Sequence, residues 1–513
     1  MSDINYIEMI EKTDAWIHNH TISNDGIVVT SKQRKIYPEV TGYFIPTLLK
    51  WGYRDYAINY ARYLCNIQRE DGAWCAPDKI TPYVFDTGQV LKGLLAVRLI
   101  IPTVKAHVLK GCDWIVSNIQ EDGRLTTPSM KYWKEDGTCS ELIHLYCLSP
   151  LIEAGQVYDR DDYITAAQKV LQFYKQYYID DILNFKILSH FYAYIMEALL
   201  ELGERKLVDI AMDKMAAIQD RKGYIPAYQD ADWVCSTGVF QLASVWYRLG
   251  DSVHGDCAFQ YACQLQNQSG GWYGSYMIHS VGNYLYPKRF KPTYFPSEEI
   301  SWAVKYFLDA FYYKQIHSFE LQAPTFLRTI SKKDERYQFI LNQIIKTNAK
   351  QIGDIGCGKG RYMKKISKEL PDISITGVDL SWNVMQRGGL TKEYDVKKGS
   401  ILNIPYPNDF FDLIYTAEVL EHAVHISNAI KEILRVLKPG GTMIIIDKNM
   451  KKQGQLQLDN WEQWFEQEKL VERIIEQGGM GVEVWDNIGY GGRKDGLFTI
   501  WTAVKDIEKE ENV

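Results

Sequence analysis

The sequence predicts a protein of two parts: an all-α ring of helix pairs, then an α/β domain built on a largely parallel sheet. Three observations lead there. A Q-x-x-x-G-x-W motif recurs at about fifty-residue spacing before residue 315. The second helical segment of each repeat is apolar on nearly every side. Beyond residue 350, short apolar strands alternate with helical stretches, and the first strand runs into a glycine-rich turn. A length of 513 residues leaves room for two or three domains.

Composition narrows the function classes. Apolar residues make up 46% and charged residues 24%, the balance of a folded chain rather than a disordered or fibrous one. Lys and Arg number 58 against 64 Asp and Glu, so at a formal charge of −6 there is no basic excess to neutralise a phosphate backbone. Nucleic acid is therefore not an expected partner. The opening MSDINYIEMIEKTDAW lacks the charged-then-apolar pattern of a leader, and no stretch suits a membrane span, which makes a cytoplasmic location the expectation. The 9 cysteines are an odd number with no CxxC pair, so reduced thiols are expected. Aromatic content is high, with 35 Tyr and 14 Trp, and is concentrated before residue 315.

The repeat is read from QREDGAW (68–74) and QNQSGGW (266–272), with QDRKGYI (219–225) keeping the Gln and Gly, and weaker copies at Asn24–Gly26 and Gln120–Gly123. One spacing between the glycines is double the others, which places a degenerate unit near Tyr178–Leu183 and gives six units. The second helices begin TGYF, TGQV, ELIH, SHFY, TGVF and SWAV. Six such helices inside six outer ones give an (α/α)6 toroid, because one helix pair cannot bury its own faces.

The motif, the repeat length and the Thr-Gly helix starts resemble the α/α toroid of terpenoid cyclases and protein prenyltransferases, a shape also used by polysaccharide lyases, uronyl hydrolases and sugar epimerases. The resemblance covers about residues 5–315. It implies a ligand cavity at the N-terminal ends of the inner helices. Aligning the six segments puts Glu39, Asp86, Glu141, His190, Cys235 and Glu299 at that rim, with Tyr37, Tyr83, Trp233 and Trp302 beside them. Carboxylates and a His among rings suit a sugar. Acids at helix starts also oppose the macrodipole and cap free N–H groups for purely structural reasons. The chain departs from the relatives: Asp230-Ala231-Asp232-Trp233 is one aspartate short of a D-x-D-D run. Asp232 and Cys235 stand three apart, not at the prenyltransferase zinc spacing, with His279 left as third ligand, so no metal is expected.

After Tyr313 the pattern turns polar and irregular and leads into an amphipathic helix around Tyr337–Thr347. The expected division is a ring over residues 1–318, a linker and leading helix over 319–346, and a second domain over 347–513. There QIGDIGCGKG (351–360) is a strand ending in Asp354 that enters Gly356-x-Gly358-x-Gly360. Glycine suits a tight turn whose backbone lies close to a ligand. The next strand, ISITGVDL, ends in Asp379, placed to accept ribose hydroxyls. Gly399-Ser400-Ile401, FDLIY (411–415), EVLEH (418–422) and LRVLKPGGTMIIID (434–447) follow.

This series resembles the class I S-adenosylmethionine-dependent methyltransferases, in particular their ubiquinone/menaquinone-type branch, over about residues 330–505. A dinucleotide-binding dehydrogenase shares the Gly-rich turn and the acid, but Cys357 between glycines, EVLEH and KPGG favour the methyltransferase. The resemblance implies S-adenosyl-L-methionine as cofactor. Asp354, Gly356, Cys357, Gly358 and Gly360 would surround its methionine part, Asp379 and Leu380 its ribose, and Ser400 with Ile401 its adenine. Ser400 replaces an Asp common among relatives. A hydroxyl acceptor needs a proton acceptor, for which His422 is the first candidate, oriented by Glu418 or Glu421, with Asp447 and Lys448 next. The closing VEVWDNIGYGGRKDGLFTIWTAVK reads as a hairpin, and Trp461, Trp464 and Phe465 as residues of a preceding helix that pack or cover the acceptor. The expected function is O-methylation of a sugar or polysaccharide precursor bound or processed by the ring. Alternatives are a prenyl or terpenoid acceptor, and a ring that serves only as a scaffold.

Overall fold

The computed structural model describes residues 4–128, 141–278, 292–453 and 460–507; His279 lies outside them. The chain divides into two compact units, one of residues Glu8–Leu48 with Tyr53–His317, the other of Met1–Ile7, Leu49–Gly52 and Ser318–Val513.

The first unit is helical. Its elements are α1 (Tyr6–His20), a short β1–β2 hairpin (Thr21–Ile22, Gly26–Ile27), α2 (Pro38–Lys50), α3 (Arg54–Asn66), α4 (Val84–Ala96) and α5 (Val104–Ser117). A 3-10 turn over Glu141–Cys147 leads into α6 (Leu148–Tyr158), followed by α7 (Asp161–Tyr177), α8 (Ile179–Leu183), α9 (Ser189–Glu201) and α10 (Arg205–Ile218). Strand β3 (Trp233–Cys235), α11 (Ser236–Leu249), α12 (Ser252–Cys263), β4 (Ser275–Met277) and α13 (Ser301–Gln322) complete it. The segment in which a degenerate unit was expected holds the short helix α8. Buried and half-exposed helices alternate. Nearly all of α4 and α11 is enclosed, whereas α3 buries only the stripe Ala57, Tyr60, Ala61 and Leu64, as a helix with one wet face should.

The repeated motif has a mechanical role. Gln68 Nε2 donates to Gly72 O and, across to α5, to His107 O, both at 2.9 Å. Gln219 does the same with Gly223 O and His254 O of α12. Gln266 bonds Gly270 O and Met9 O, both at 3.1 Å, so the last copy of the motif clasps the first helix. Glycine is required at the turn: Gly72 has φ +100°, and a Cβ there would run into the Lys110 carbonyl oxygen. Trp74 and Trp272 anchor their turns by donating to Leu64 O at 2.8 Å and Ala262 O at 2.9 Å. Replacing Gly72 by alanine is expected to cost about 1–3 kcal/mol in a denaturation experiment through the left-handed backbone alone; a loss within error would show that the turn yields.

The second unit is an α/β fold. Asp334 caps α14 (Glu335–Thr347), accepting from the N–H groups of Arg336 (3.1 Å) and Tyr337 (3.3 Å). There follow β5 (Gln351–Ile355), α15 (Met363–Glu369), β6 (Ser374–Asp379), α16 (Trp382–Gly388), α17 (Leu390–Glu393), β7 (Val396–Lys398) and β8 (Phe411–Ala417). Then come α18 (Ile426–Val436), β9 (Leu437–Lys448), α19 (Gln467–Glu476), β10 (Gly479–Ile488) and β11 (Phe498–Lys505). The sheet order is β10-β11-β9-β8-β5-β6-β7. Strands β9, β8, β5, β6 and β7 are mutually parallel, while β11 runs against β9 and β10 against β11. Chain direction through the sheet reverses between β5 and β8, and a doubly wound sheet opens its ligand crevice beyond the strand ends at such a point. Asp354, Asp379, Glu418 and Asp447 all stand at or just past those ends. Trp461, Trp464 and Phe465 are buried, but they precede α19 rather than belonging to it, a correction to their expected place on a helix.

Candidate functional site

The turn after β5 is tied down from three sides. The N–H groups of Gly356 and Cys357 both donate to Val378 O of β6, at 2.7 and 3.0 Å. Gly356 and Gly360 have φ +80° and +73°, and a Cβ at either would collide with Val419 or Leu390. Gly358 differs: at φ +53° it is also left-handed, but its missing Cβ would point into open space. Packing needs the outer two glycines, and the middle one leaves bare backbone facing the crevice. The Asp379 carboxylate accepts from Gly358 N–H at 2.8 Å and from Ser381 N–H at 2.9 Å, leaving each oxygen a further acceptor position. Burial raises its pKa against the pull of those two N–H groups. Asp354 is enclosed beneath the turn, and burial pushes its carboxyl up to about 7, with Tyr415 and Arg361 opposing. Cys357 packs its sulfur against Gly377 of β6, and burial pushes the thiol up. Ser400 spends its hydroxyl on Leu402 N–H at 3.0 Å, and Ile401 is buried beside it. Leu380 is half-buried.

The ends of β8 and β9 carry a network of charges. Glu418, at φ +64°, turns to Arg336 (2.7 Å) and Arg361 (2.5 Å); burial raises its pKa, but the two guanidiniums outweigh it and the group stays ionised. It therefore does not orient His422, as the sequence suggested. Glu421 stands in that place, its Oε1 lying 3.5 Å from His422 Nε2 and 2.8 Å from Lys448 Nζ. The His422 ring packs edge-on to Phe319 at 5.1 Å. Lys448 also pairs with Glu462, which accepts from Trp464 Nε1 at 2.9 Å. Burial pushes Glu421 up to about 8, Lys448 opposing and Glu462 reinforcing. Asp447 is fully enclosed, and neither oxygen makes an aligned hydrogen bond to a described residue. Burial and then the Glu421 charge raise its pKa well above the usual carboxylate range, against the Lys448 cation and the Glu421 N–H.

Residues 353–445 match a family model described as a methyltransferase domain. The second unit carries a methyltransferase domain. Over 99 residues it is 34% identical to a sterol 24-C-methyltransferase of Neurospora crassa, covering 18% of this chain and 26% of that one. Over 115 residues it is 33% identical to an uncharacterised methyltransferase of Schizosaccharomyces pombe, covering 20% and 41%. A match of 29% over 115 residues to the 2-methyl-6-phytyl-1,4-hydroquinone methyltransferase of Synechocystis covers 21% and 35%. The chain thus spans between 26% and 41% of the length of these relatives. Among solved structures, a methyltransferase of Thermotoga maritima aligns at 19% identity over 37% of this chain and 99% of that one, with a TM-score of 0.29.

A methyltransferase domain of this kind uses S-adenosyl-L-methionine, and the cradle of the domain fits it. The open backbone at Gly358 admits a close ligand, Asp379 keeps acceptor positions for ribose hydroxyls, and the buried Asp354 Oδ2 lacks an aligned hydrogen-bond partner among the described residues. Asp379→Ala is expected to weaken cofactor binding by about 1–3 kcal/mol in calorimetry; unchanged affinity would remove Asp379 from the site. Sequence reasoning gave Glu421 and Lys448 minor parts and missed Arg336, Arg361 and Glu462. Only the E-x-x-E-H spacing hinted at the first.

Of the rim residues expected in the helical unit, Glu39 lies near enough to Asp86 for its charge to raise the Asp86 pKa. Glu39 starts α2, Asp86 starts α4 and His190 starts α9, and all are buried. His190 Nδ1 donates to Gln241 Oε1 at 2.6 Å, and burial lowers its pKa to about 3, so it is a neutral packing group. Glu141 turns to Arg124 (2.6 Å) and the Tyr178 hydroxyl (2.6 Å) on the half-exposed side. Glu299 is a strut: it accepts from Trp16 Nε1 at 2.7 Å and Asn267 Nδ2 at 2.8 Å. Trp233 pairs in β3 with Met277 and packs against Tyr228 at 5.9 Å. The side chains of Glu141, Glu299 and Trp233 are thus taken up by neighbouring partners.

Proposed function

We propose that the chain is an S-adenosylmethionine-dependent methyltransferase that O-methylates a sugar or polysaccharide precursor, with the helical unit an (α/α)6 toroid that binds the acceptor. The cofactor supplies a methyl group activated on a sulfonium, so the protein's work is alignment and proton removal. Gly358 and Asp379 hold the cofactor beyond β5 and β6. Glu421 takes the proton of the acceptor hydroxyl. Lys448 fixes its carboxylate, and His422 and Phe319 stand at the side where the acceptor enters. Glu462 keeps Lys448 charged and, with Glu418, raises the basicity of Glu421.

The single observation supporting a sugar is the centre of the helical unit, where buried carboxyls lie among aromatic rings: Phe85 is 5.0 Å from Tyr194 and Tyr43 is 6.0 Å from Tyr306. Sugar rings stack one face on such groups and present hydroxyls to carboxyls. A second reading, a prenylated or sterol-like acceptor, is favoured by the names of the relatives and by the same rings. Label from methyl-tritiated cofactor separates the two. Transfer to saccharide acceptors as a base-stable ether is the expected result, and label moving only to prenylated quinols or sterols would replace the sugar reading.

A further inference from the structure

A carboxylate that is to meet two ribose hydroxyls at once has to be aimed, because each hydrogen bond weakens steeply as its angle closes. In the loop after β6 the aim of Asp379 depends on Ser381. One carboxylate oxygen is fixed by Gly358 N–H at 2.8 Å, and the other by Ser381 N–H at 2.9 Å. The Ser381 side chain is 1% exposed and accepts from Val384 N–H at 3.3 Å, at the start of α16. A hydroxyl has one proton to give, so the partner that takes it sets the last degree of freedom of this residue.

That partner comes from 61 residues earlier in the chain. The last turn of α13, from Ser318 to Gln322, belongs to the second unit. Its Glu320 takes through Oε1 the Ser381 hydroxyl at 2.7 Å and Asn383 Nδ2 at 2.9 Å. Two donors of one short loop thus converge on one oxygen, and a carboxylate holds such donors more tightly than a neutral acceptor does.

Glu320 is itself a fixed point. Its neighbour Phe319 lies 5.1 Å from the His422 ring. His422 follows β8 and Ser381 follows β6, with β5 between those strands. The turn of α13 therefore reaches from the loop beyond β6 to the loop beyond β8. Further along, Phe326 O accepts from Lys359 Nζ at 3.1 Å and Ile330 O from Lys365 Nζ at 3.0 Å, which ties the following segment to the glycine turn and to α15. An anchor braced on both sides can hold a ligand-facing group in one geometry.

We propose that Glu320 is a positioning residue for cofactor binding: it holds Ser381, and through the Ser381 N–H it aims the Asp379 carboxylate at the ribose hydroxyls. The proposal rests on the reading of Asp379 as the ribose acid, and adds the residue that directs it.

The test is calorimetry of the full chain with S-adenosylhomocysteine, which carries the same ribose as the cofactor. Glu320→Ala is expected to weaken binding about tenfold. Glu320→Gln keeps an oxygen that can accept from Ser381 and Asn383, and is expected to stay within about threefold of the parent. The decisive comparison is a double-mutant cycle. In an Asp379→Ala background, Glu320→Ala is expected to cost nothing more, since the carboxylate it aims is gone, whereas a general loosening of the loop would cost the same in both backgrounds. Ser381→Ala removes the bond from the other side, is expected to show the same loss and the same dependence on Asp379, and stands in should Glu320→Ala fold poorly. Parent-like affinity of Glu320→Ala, or an equal loss in both backgrounds, would overturn the proposal. Unchanged affinity of Asp379→Ala alone would overturn it together with the reading of Asp379, so the two failures are told apart by that single variant.

Discussion

Replacing Arg336 by methionine is expected to cost about 3–5 kcal/mol of stability, the largest effect of any single surface-remote change in the methyltransferase domain. The side chain is 1% exposed. Its guanidinium takes Asp334 through Nε at 3.1 Å and Nη2 at 3.0 Å, and Glu418 through Nη1 at 2.7 Å. It also lies against the rings of Tyr490 (4.8 Å) and Phe498 (4.4 Å), which stack on each other. Methionine would fill much of the space yet leave the carboxylate of Asp334, itself 1% exposed, without its cation. The damage would spread, because Asp334 also caps α14 and accepts from Gly491 N–H at 3.1 Å. Lysine should rescue little, since an ammonium cannot make the bidentate pair with Asp334 or lay a planar face against the rings. The readout is the denaturant midpoint of the domain's own transition, as a two-unit chain need not unfold in one step. A loss below about 1 kcal/mol would show that water replaces the guanidinium at no cost.

Glu421→Gln is expected to lower kcat by about 10²–10⁴ with a hydroxyl acceptor, the usual effect of removing a general base, while cofactor affinity stays unchanged. The pH profile is a second readout. Only the ionised carboxylate accepts a proton, and burial places its pKa at about 8, so activity should rise with pH through that region and then level. Lys448, Glu462, His422, Asp447 and Glu418 all surround it, so the midpoint belongs to the cluster rather than to one residue. Lys448→Met should push the midpoint upward, because it removes the cation that favours the ionised form. A pH profile that Lys448→Met leaves in place would transfer the proton-accepting role elsewhere.

Particular residues show what a sequence can and cannot tell. Gln68, Gly72 and Trp74 recur with Gln266, Gly270 and Trp272 because each set performs one local task, so the pattern survives in one dimension. Gly356, Gly358, Gly360 and Asp379 are legible for a similar reason: a tight turn and a strand end are fixed within a few residues. The division of labour between Glu418 and Glu421 was not legible. A left-handed φ at Glu418 turns its side chain towards Arg336, 82 residues away in sequence, and no local pattern encodes that. Glu462 joins the cluster only through Lys448, and nothing in its own neighbourhood suggests a site. Glu141 opens a 3-10 turn and Glu299 just precedes α13, close to helix starts like Glu39 and Asp86, but Arg124 and Trp16 claim them, and position near a helix start alone cannot foresee a competitor.

The clasp of Gln266 on Met9 affects how the helical unit is made. In an open array, each repeat can settle on the one before it as the ribosome releases the chain. Here α1 waits for a partner that is synthesised about 250 residues later. Its apolar stripe stays uncovered through most of translation, and the last repeat, on emerging, completes the first. Moving α1 to follow α12 through a short linker would let both meet as neighbours. Such a permuted chain should fold faster than the natural one while keeping the same contacts, since the longest loop to be closed has been removed.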